Sequence, residues 1–408
     1  MNQKDFDQTI KLPLHRQTHT NGLSNGLIVL MSLGTFIIFF QGFMVAPLLP
    51  NLAGYFQATV RHTSFIEPAY LMGYGAFTLM YPPLSERFGR YKLILFCMSV
   101  FVVLTVITGF VQTIDQMIIL RFFTGIGCAG VSPTTLGWIG NKIPYERRGQ
   151  ALGIFFGLMA GGTALGSSAG ALLASVTGWQ NLFFGVAGMG VIVMSLIITN
   201  REHYIDKKLA SASNHTTRRG AISMQILSEK RARKTYAFVL FNAMFHSGVF
   251  AWAGVLFYNR YHLDEKGIGL ALLGYGIPGL ILGPWMGKLA DRYGRNKVIP
   301  IGIIIGSLTV IVLSLPIIPL WAACILVVTL SLSFDLTHPS LAAVTSTFPN
   351  KRGEATGLFA FFLFTGYGVG SLVFSLIVII GLNKTFAVFG VVALLISILS
   401  VRVFRYEK

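Results

Sequence analysis

The sequence predicts an all-α integral membrane protein of twelve transmembrane helices, arranged as two repeats of six. Three observations support this prediction. Apolar segments long enough to cross a bilayer recur along the chain, basic residues concentrate in alternate loops, and two loop motifs recur about half a chain length apart.

The composition is that of a membrane protein. Of the 408 residues, 53% are hydrophobic and only 12% are charged, which is too apolar and too poor in charge for an ordinary soluble domain. A spanning helix needs about 20 mostly apolar residues. The predicted spans are residues 27–50, 66–84, 93–112, 118–139, 149–174, 181–199, 236–257, 267–287, 297–315, 319–345, 355–380 and 385–402.

The basic residues predict the orientation of these spans. The formal net charge of +17 would suit a nucleic-acid surface, but all except five of the 32 Lys and Arg residues fall in the two tails and in alternate loops. By the positive-inside rule this face is cytoplasmic, so both termini are expected in the cytoplasm and the protein in the plasma (inner) membrane. No nucleic-acid partner is expected.

One long polar segment divides the chain. We expect a cytoplasmic tail at 1–26, a six-helix bundle at 27–199, a basic linker at 200–235, a second bundle at 236–402 and a short tail at 403–408. The tail at 1–26 is polar and shows no cleavable leader, so the first span is interpreted as a signal anchor. A solvated linker in contact with lipid headgroups is the simplest interpretation of the basic run.

The two halves repeat at the level of sequence. The segment LSERFGR at 84–90 recurs as LADRYGR at 289–295, and RGQALG at 148–153 recurs as RGEATG at 352–357. Both displacements are close to half the chain length, so a duplicated six-helix unit is predicted. Duplicated transporters bind their solute where the two halves meet.

The repeated loop carries the family resemblance. Residues 287–297, GKLADRYGRNK, resemble the cytoplasmic loop signature of the major facilitator superfamily, and the first copy departs from it with Pro82 and Glu86. The resemblance implies a gate at the cytoplasmic face. The residues assigned to it are Glu86, Arg87, Gly89, Arg90, Gly287, Asp291, Arg292, Gly294, Arg295, Arg148 and Arg352.

Other segments resemble the twelve-helix drug:proton antiporters of this superfamily. Residues 121–127, RFFTGIG, are similar to the signature of the fourth helix, and residues 42–50 are similar to a first-helix pattern in which Phe43 replaces the usual acid. The glycine-rich fifth helix resembles the antiporter signature, but Ser167 follows Gly166 where proline is usual. The glycines at 366–370 are interpreted as helix packing, not nucleotide binding.

Titratable residues inside spans are the candidates for coupling, since placing a charge there costs about 2.5–3.5 kcal/mol on insertion scales. The proton-coupling candidates are Asp335, Glu67 and His338. Asp335 and His338 are three residues apart on one helix face and can form an acid–imidazole pair that couples transport to protons. The alternatives are a buried polar pair that bends the helix ahead of Pro339 and a substrate-contact site without proton chemistry. Glu67 lies either inside the bundle or at an exposed rim.

Four further polar residues are candidates for lining a cavity: Gln41, His246, Asn242 and Arg121. Each has a packing alternative, and for Arg121 the alternative is an interfacial side chain that snorkels to the membrane surface. Cys97, Cys128 and Cys324 stand singly within apolar segments, so no metal site is expected.

The predicted function is secondary active transport of a small organic solute by alternating access, with proton-coupled efflux of a drug or metabolite as the leading hypothesis. Uptake of a nutrient or metabolite, facilitated or linked to protons, is the alternative. The expected partners are the solute, protons and membrane lipids, and the protein is expected to be a monomer. We find no nucleophile elbow, Walker motif or metal-ligand cluster in the sequence, so no cofactor and no enzymatic activity are expected.

Overall fold

The structure is a computed structural model that describes residues 25–143, 145–204, 225–345, 347–348 and 352–407. Within these ranges it describes all side chains except those at 86, 140–142, 145–150, 152–153, 203–204, 280, 283–285, 287–288, 291, 352–354 and 356. The described residues form helices and connecting turns, without a strand.

The first half contains eleven α-helices. They are α1 (Asn25–Phe43), α2 (Leu49–Tyr55), α3 (Val60–Thr63), α4 (Ile66–Thr78), α5 (Tyr81–Phe88), α6 (Arg90–Thr108), α7 (Ile114–Cys128), α8 (Val131–Lys142), α9 (Tyr145–Thr177), α10 (Trp179–Thr199) and α11 (Arg201–Tyr204), with a 3-10 turn at Ala46–Leu48. The second half contains α12 (Lys230–Tyr261), α13 (Glu265–Leu272), α14 (Ile277–Tyr293), α15 (Arg295–Leu313), α16 (Leu320–Thr345), α17 (Arg352–Ile377) and α18 (Leu382–Val403), with a 3-10 turn at Val378–Ile380.

Ten helical segments among the described residues are long and apolar enough to cross a membrane. The predicted spans at 66–84 and 267–287 are the other two, because each is divided into two shorter helices. Pro82 lies in the first turn of α5, and Gly276 before α14 has a φ of +145°, so both breaks coincide with residues that interrupt a helix. The count of twelve spans stays a prediction.

The duplication is visible in the backbone. Gly89 joins α5 to α6 with φ 88° and ψ 138°, and Gly294 joins α14 to α15 with φ 87° and ψ 141°. A second pair of positive-φ glycines, Gly178 and Gly381, precedes the last long helix of each half. Positive φ favours glycine, so the recurring glycines of the loop motif have a conformational cause.

Two faces can be distinguished, because consecutive long helices run in opposite directions. The linker face carries the α5–α6 and α14–α15 turns, the start of α12 and the end of α18. The far face carries residues 55–65, 109–113, 262–264 and 381. At the linker face, Arg231 binds Glu407 with a 2.6 Å contact from Nε to Oε1. The backbone N–H of Asn296 donates to the backbone carbonyl of Glu407 at 2.8 Å.

The two halves close against each other at the far face. Ser64 donates to the Ser375 hydroxyl at 2.8 Å, Arg61 donates to the Ser375 carbonyl at 3.2 Å, and the Asn51 amide binds the Glu265 carboxylate. Deeper in the membrane, α4 packs on α17, where a Cβ on Gly368 would lie 2.7 Å from the backbone nitrogen of Met72. The structure therefore represents a conformation sealed at the far face.

Candidate functional site

A central cavity lies between the two halves and encloses about 510 Å³, including the space at its open side. The first half contributes Phe39, Phe43, Met159, Ala160 and Thr163, and the second half contributes Ser247, Phe250, Tyr275, Gly276, Ser331, Phe334, Asp335 and Tyr367. Six of these side chains are aromatic, and Asp335 is the one carboxylate among the described lining residues. An apolar wall with a few oriented polar groups is the usual composition of a small-molecule site.

Asp335 is positioned by its own helix and by a glycine of a neighbouring helix. Its Oδ2 accepts a hydrogen bond from Ser331, one turn earlier on α16, at 3.2 Å. A Cβ on Gly279 of α14 would lie 2.7 Å from Oδ1, so a larger residue there would displace the carboxylate. The close approach of α14 holds Asp335 at the cavity wall.

The expected pair of Asp335 and His338 is not formed in this structure. His338 Nδ1 lies 3.0 Å from Asn242 Nδ2, and its ring stacks on Phe334 with a centroid separation of 3.8 Å. The described hydrogen-bond partner of the Asp335 side chain is Ser331. The two residues share a helix but have different partners, because α12 supplies an amide that the sequence pattern could not place.

His246 and Asn242, predicted to line the cavity, lie together with His338 in a buried cluster. His246 Nε2 lies 3.4 Å from the Ser333 hydroxyl, and the two imidazole rings are 5.9 Å apart. None of the three is among the residues that line the cavity in this conformation. Phe334 is shared, since it lines the cavity and also stacks on His338.

Glu67 and Arg121 are both fully buried in the first half. This excludes the exposed-rim alternative for Glu67 and the snorkelling alternative for Arg121. Arg121 Nη2 donates to the Gly42 carbonyl at 3.1 Å, and the guanidinium lies 4.2 Å from the centre of the Tyr70 ring. Both Glu67 carboxylate oxygens are buried without a hydrogen-bond partner among the described atoms.

Gln41 and Arg121 also lie behind the cavity wall. Gln41 is fully buried and donates to Thr105 of α6 at 2.7 Å. The four residues predicted to line the cavity are therefore all buried within a half. Their roles in transport remain predictions.

Of the eight gate residues other than glycine, four have side chains outside the described ones. Those of Glu86, Asp291, Arg148 and Arg352 are not described, and at Gly287 only the backbone is. Arg87 and Arg292 are exposed, and each lies near the aromatic ring that follows it in the chain, at 5.3 and 5.5 Å. Arg90 and Arg295 begin α6 and α15 directly after Gly89 and Gly294.

The aromatic cavity wall was missed by the sequence analysis. Tyr275, Phe334 and Tyr367 are separated widely in sequence and converge from the turn between α13 and α14, from α16 and from α17. A signal was present for Ser331, which precedes Asp335 by one helical turn. The aromatic residues gave none, since 33 phenylalanines spread over the chain do not distinguish a cavity wall from a lipid-facing surface.

Two repeated helical halves around a central cavity, within a chain of multiple membrane-crossing helices, define a solute transporter of the membrane. A sequence model of the Major Facilitator Superfamily matches residues 31–334 and 236–408. The chain belongs to this superfamily, as the loop motif predicted, and it is a multi-pass membrane protein that transports a small solute.

Relatives and solved structures agree with this assignment. The chain is 25% identical over 363 residues to an MFS-type transporter, MJ1560, of Methanocaldococcus jannaschii, covering 88% of this chain and 93% of that one. It is 26% identical over 201 residues to the multidrug resistance protein Stp of Mycobacterium tuberculosis, covering 49% of this chain and 36% of Stp.

Two solved structures share the fold. One is a bacterial homologue of the lysosomal transporter Spinster in an inward-facing, unoccupied conformation, with a TM-score of 0.71 and 15% identity, covering 94% of this chain and 98% of that one. The other is the nucleoside transporter NupG, with a TM-score of 0.69 and 13% identity, covering 92% of this chain and all of NupG.

Proposed function

We propose that the protein exports a small, largely aromatic organic solute in exchange for protons. The observation that carries this proposal is the position of Asp335, a carboxylate in a cavity walled by aromatic side chains. A single acid in an apolar site can hold either a proton or a cationic group of a solute, but not both. Binding of one therefore releases the other, which is the requirement for exchange.

Alternating access would result from rocking of the first half, 27–199, against the second, 236–402. The far-face contacts at Ser375 and Glu265 support a conformation closed on that side. The distribution of basic residues supports a cytoplasmic linker face, with both termini inside the cell and lipid headgroups around the linker. The loops at 85–92 and 290–297 would latch that face through Glu86 and Asp291. We propose that a monomer in the plasma (inner) membrane suffices, since each chain contains both halves.

Three residues are candidates for carrying the proton, and the geometry ranks them. Asp335 comes first because its carboxylate reaches the solute cavity. Glu67 is second, since its buried oxygens have no described partner but do not line that cavity. His338 is third, because Asn242 occupies one of its ring nitrogens. The multidrug resistance protein Stp among the relatives supports efflux over uptake.

The test is transport by the purified protein in liposomes. Solute-dependent proton flux is measured with an imposed pH gradient for the wild type, for Asp335→Asn and for Glu67→Gln, with the exposed Asp115→Asn as the matched control. Asp335→Asn should abolish gradient-driven transport and also weaken binding of a cationic solute, because the same carboxylate holds both. Glu67→Gln, which does not line the cavity, should preserve exchange of solute down its own gradient.

Full pH-driven transport by Asp335→Asn would remove Asp335 as the carrier, and the same result for both variants would remove proton coupling through either acid. Accumulation of solute in the same direction as proton flow would favour uptake, the alternative function.

A further inference from the structure

Three buried polar atoms on three neighbouring residues have no hydrogen-bond partner among the described atoms. They are His246 Nδ1, His338 Nε2 and Asn242 Oδ1. A buried polar atom without a partner costs about 1–3 kcal/mol, so three in one cluster are unusual. The surrounding hydrogen bonds show which of them donate and which accept.

The hydrogen bonds around Asn242 define which ring nitrogen of His338 carries the hydrogen. Thr337 donates its hydroxyl hydrogen to the Ser333 carbonyl at 2.9 Å, so its oxygen accepts from Asn242 Nδ2 at 2.7 Å. The second hydrogen of that amide nitrogen points to His338 Nδ1 at 3.0 Å. His338 Nδ1 is then an acceptor, and the neutral ring carries its hydrogen on Nε2.

Phe334 offers the competing arrangement for His338, since its carbonyl lies 3.3 Å from Nδ1. The contact between Asn242 Nδ2 and His338 Nδ1 is shorter. Because the Thr337 hydroxyl donates its hydrogen to the Ser333 carbonyl, its oxygen must accept, so the amide nitrogen of Asn242, and not its oxygen, faces Thr337 and His338. The unpartnered His338 Nε2 is therefore a donor.

His246 has the complementary role. Ser333 donates its hydroxyl hydrogen to the Gly302 carbonyl at 2.7 Å, so its oxygen accepts from His246 Nε2 at 3.4 Å. The hydrogen of the neutral ring is then on Nε2, and Nδ1 is a bare acceptor. The cluster presents one unpartnered donor, on His338, and two unpartnered acceptors, on His246 and Asn242.

Phe334 contacts both this cluster and the solute cavity, and Tyr367, whose ring lies 6.3 Å from that of His338, also lines the cavity. Phe334 lines the cavity, stacks on the His338 ring at 3.8 Å and packs edge-on against the His246 ring at 5.3 Å. A change in its side-chain rotamer would expose the unpartnered atoms of the cluster to the cavity. Phe334 therefore lies between an aromatic cavity and a polar cluster.

We propose that His246, His338 and Asn242 form a subsite for a neutral hydroxyl or carboxamide group of the transported solute, admitted by displacement of Phe334. A group that both donates and accepts satisfies the donor of one imidazole and the acceptor of the other, whose ring centroids are 5.9 Å apart. This inference rests on the proposed solute cavity.

The charges around the subsite favour a neutral group. Among the described residues, Asp335 lies one helical turn from His338 on α16, and the ring of Tyr367 on α17 lies 6.3 Å from that of His338. On α15, the residues that meet α16 here are Gly302 and Gly306. A charged group would be buried without an adjacent counter-ion, which is costly. The cationic part of a solute is expected at Asp335 instead.

The test uses two phosphonium cations that differ by one hydroxyl, tetraphenylphosphonium and (4-hydroxyphenyl)triphenylphosphonium, titrated into the purified full-length protein in detergent. The wild type should bind the hydroxylated cation about 3- to 10-fold more tightly, as one net hydrogen bond provides. His246→Leu and His338→Leu should bind both cations equally. His62→Gln, at a partly exposed position of the far face, is the control that should keep the preference.

A wild type that binds both cations equally, or a preference that survives in both leucine variants, would overturn the subsite. Ring-nitrogen magnetic resonance of the histidines in the wild type is the second measurement, which requires no variant to fold. It should show that both residues carry the hydrogen on Nε2 and that their ring-nitrogen chemical shifts change when the hydroxylated cation binds. A hydrogen on His338 Nδ1 would also overturn it.

Failure of the subsite can be distinguished from failure of the proposed function. A protein that binds neither cation would refute the subsite and the cationic solute together. Proton flux with another solute would still establish exchange. Loss of proton flux with a retained hydroxyl preference would refute exchange alone.

Discussion

Two glycines of α17 lie in different contacts, one between the two halves and one within the second half. Gly368 faces α4 of the first half, where an added Cβ would lie 2.5 Å from Met72 Cγ and 2.9 Å from its Cα. Gly370 faces α12 of its own half, where an added Cβ would lie 2.1 Å from the Met244 carbonyl oxygen and 2.4 Å from its Cα. The two substitutions to alanine create similar clashes on the same helix.

The clash at Gly368 can be relieved by separating the halves, which alternating access already requires. Overpacking of this kind costs about 1–3 kcal/mol, so Gly368→Ala should shift the equilibrium away from the far-closed conformation by about 5- to 150-fold. The clash at Gly370 persists in every conformation of the second half. Gly370→Ala should therefore lower thermal stability without a comparable shift between conformations.

The assay is the distance between spin labels at Gly54→Cys and Lys266→Cys, on opposite halves of the far face, in a background without the three native cysteines. Gly368→Ala should increase the population at long distance. Gly188→Ala, where an added Cβ meets nothing within 4 Å, should leave the distribution unchanged. An unchanged distribution in Gly368→Ala, or an equal shift in Gly370→Ala, would refute the reasoning.

Three further predictions concern buried or partly buried charges. Arg121→Ala should reach the membrane in normal amounts but lose transport at least about tenfold, because a charged hydrogen bond contributes about 1.5–3 kcal/mol; normal transport by the variant would contradict it. Burial and then the neighbouring Asp264 raise the pKa of Glu265, so acidification at the far face should favour the closed conformation that partly buries it. Spin-label distances in Glu265→Gln should lose this pH dependence. Glu407→Gln should lower stability by about 1 kcal/mol, since Arg231 is 47% exposed although Glu407 is only 14% exposed, and an unfolding midpoint moved by far more would show a larger role for the tail.

The sequence predicted most of the helical fold because apolar length and charge placement act locally. The helix α12 begins at Lys230, before the predicted span at 236–257 and within the predicted linker at 200–235, and there Arg231 binds Glu407. Charge patterning alone assigns such a basic segment to solvent. The divided spans were missed because their apolar composition is continuous, although Pro82 and Pro83 in the first of them are a usable signal of a break.

The site was predictable only in its components. Titratable residues in apolar spans identified Asp335, Glu67, Arg121 and His338, because the cost of burying them is a property of the sequence. Which of them reaches the cavity depends on the packing between helices. Periodicity on α16 could place His338 near Asp335, but the Asn242 amide that binds it comes from α12.

The duplicated halves share their turns but not their cavity chemistry. The glycines at 89 and 294 keep nearly the same φ and ψ. In contrast, the positions of the first half that correspond to Asp335, residues 130 and 131, are buried Gly and Val. A Cβ on Gly130 would lie 2.6 Å from the Tyr81 ring and 2.7 Å from Cys97 Sγ, so a carboxylate cannot be accommodated there without repacking. The first half therefore supplies a mostly apolar wall, and the second half supplies the acid and the polar cluster. The repeat preserves the turns between helices but not the residues that bind. We therefore expect the second half to supply most of the groups that bind solute and proton, while both halves contribute equally to the motion.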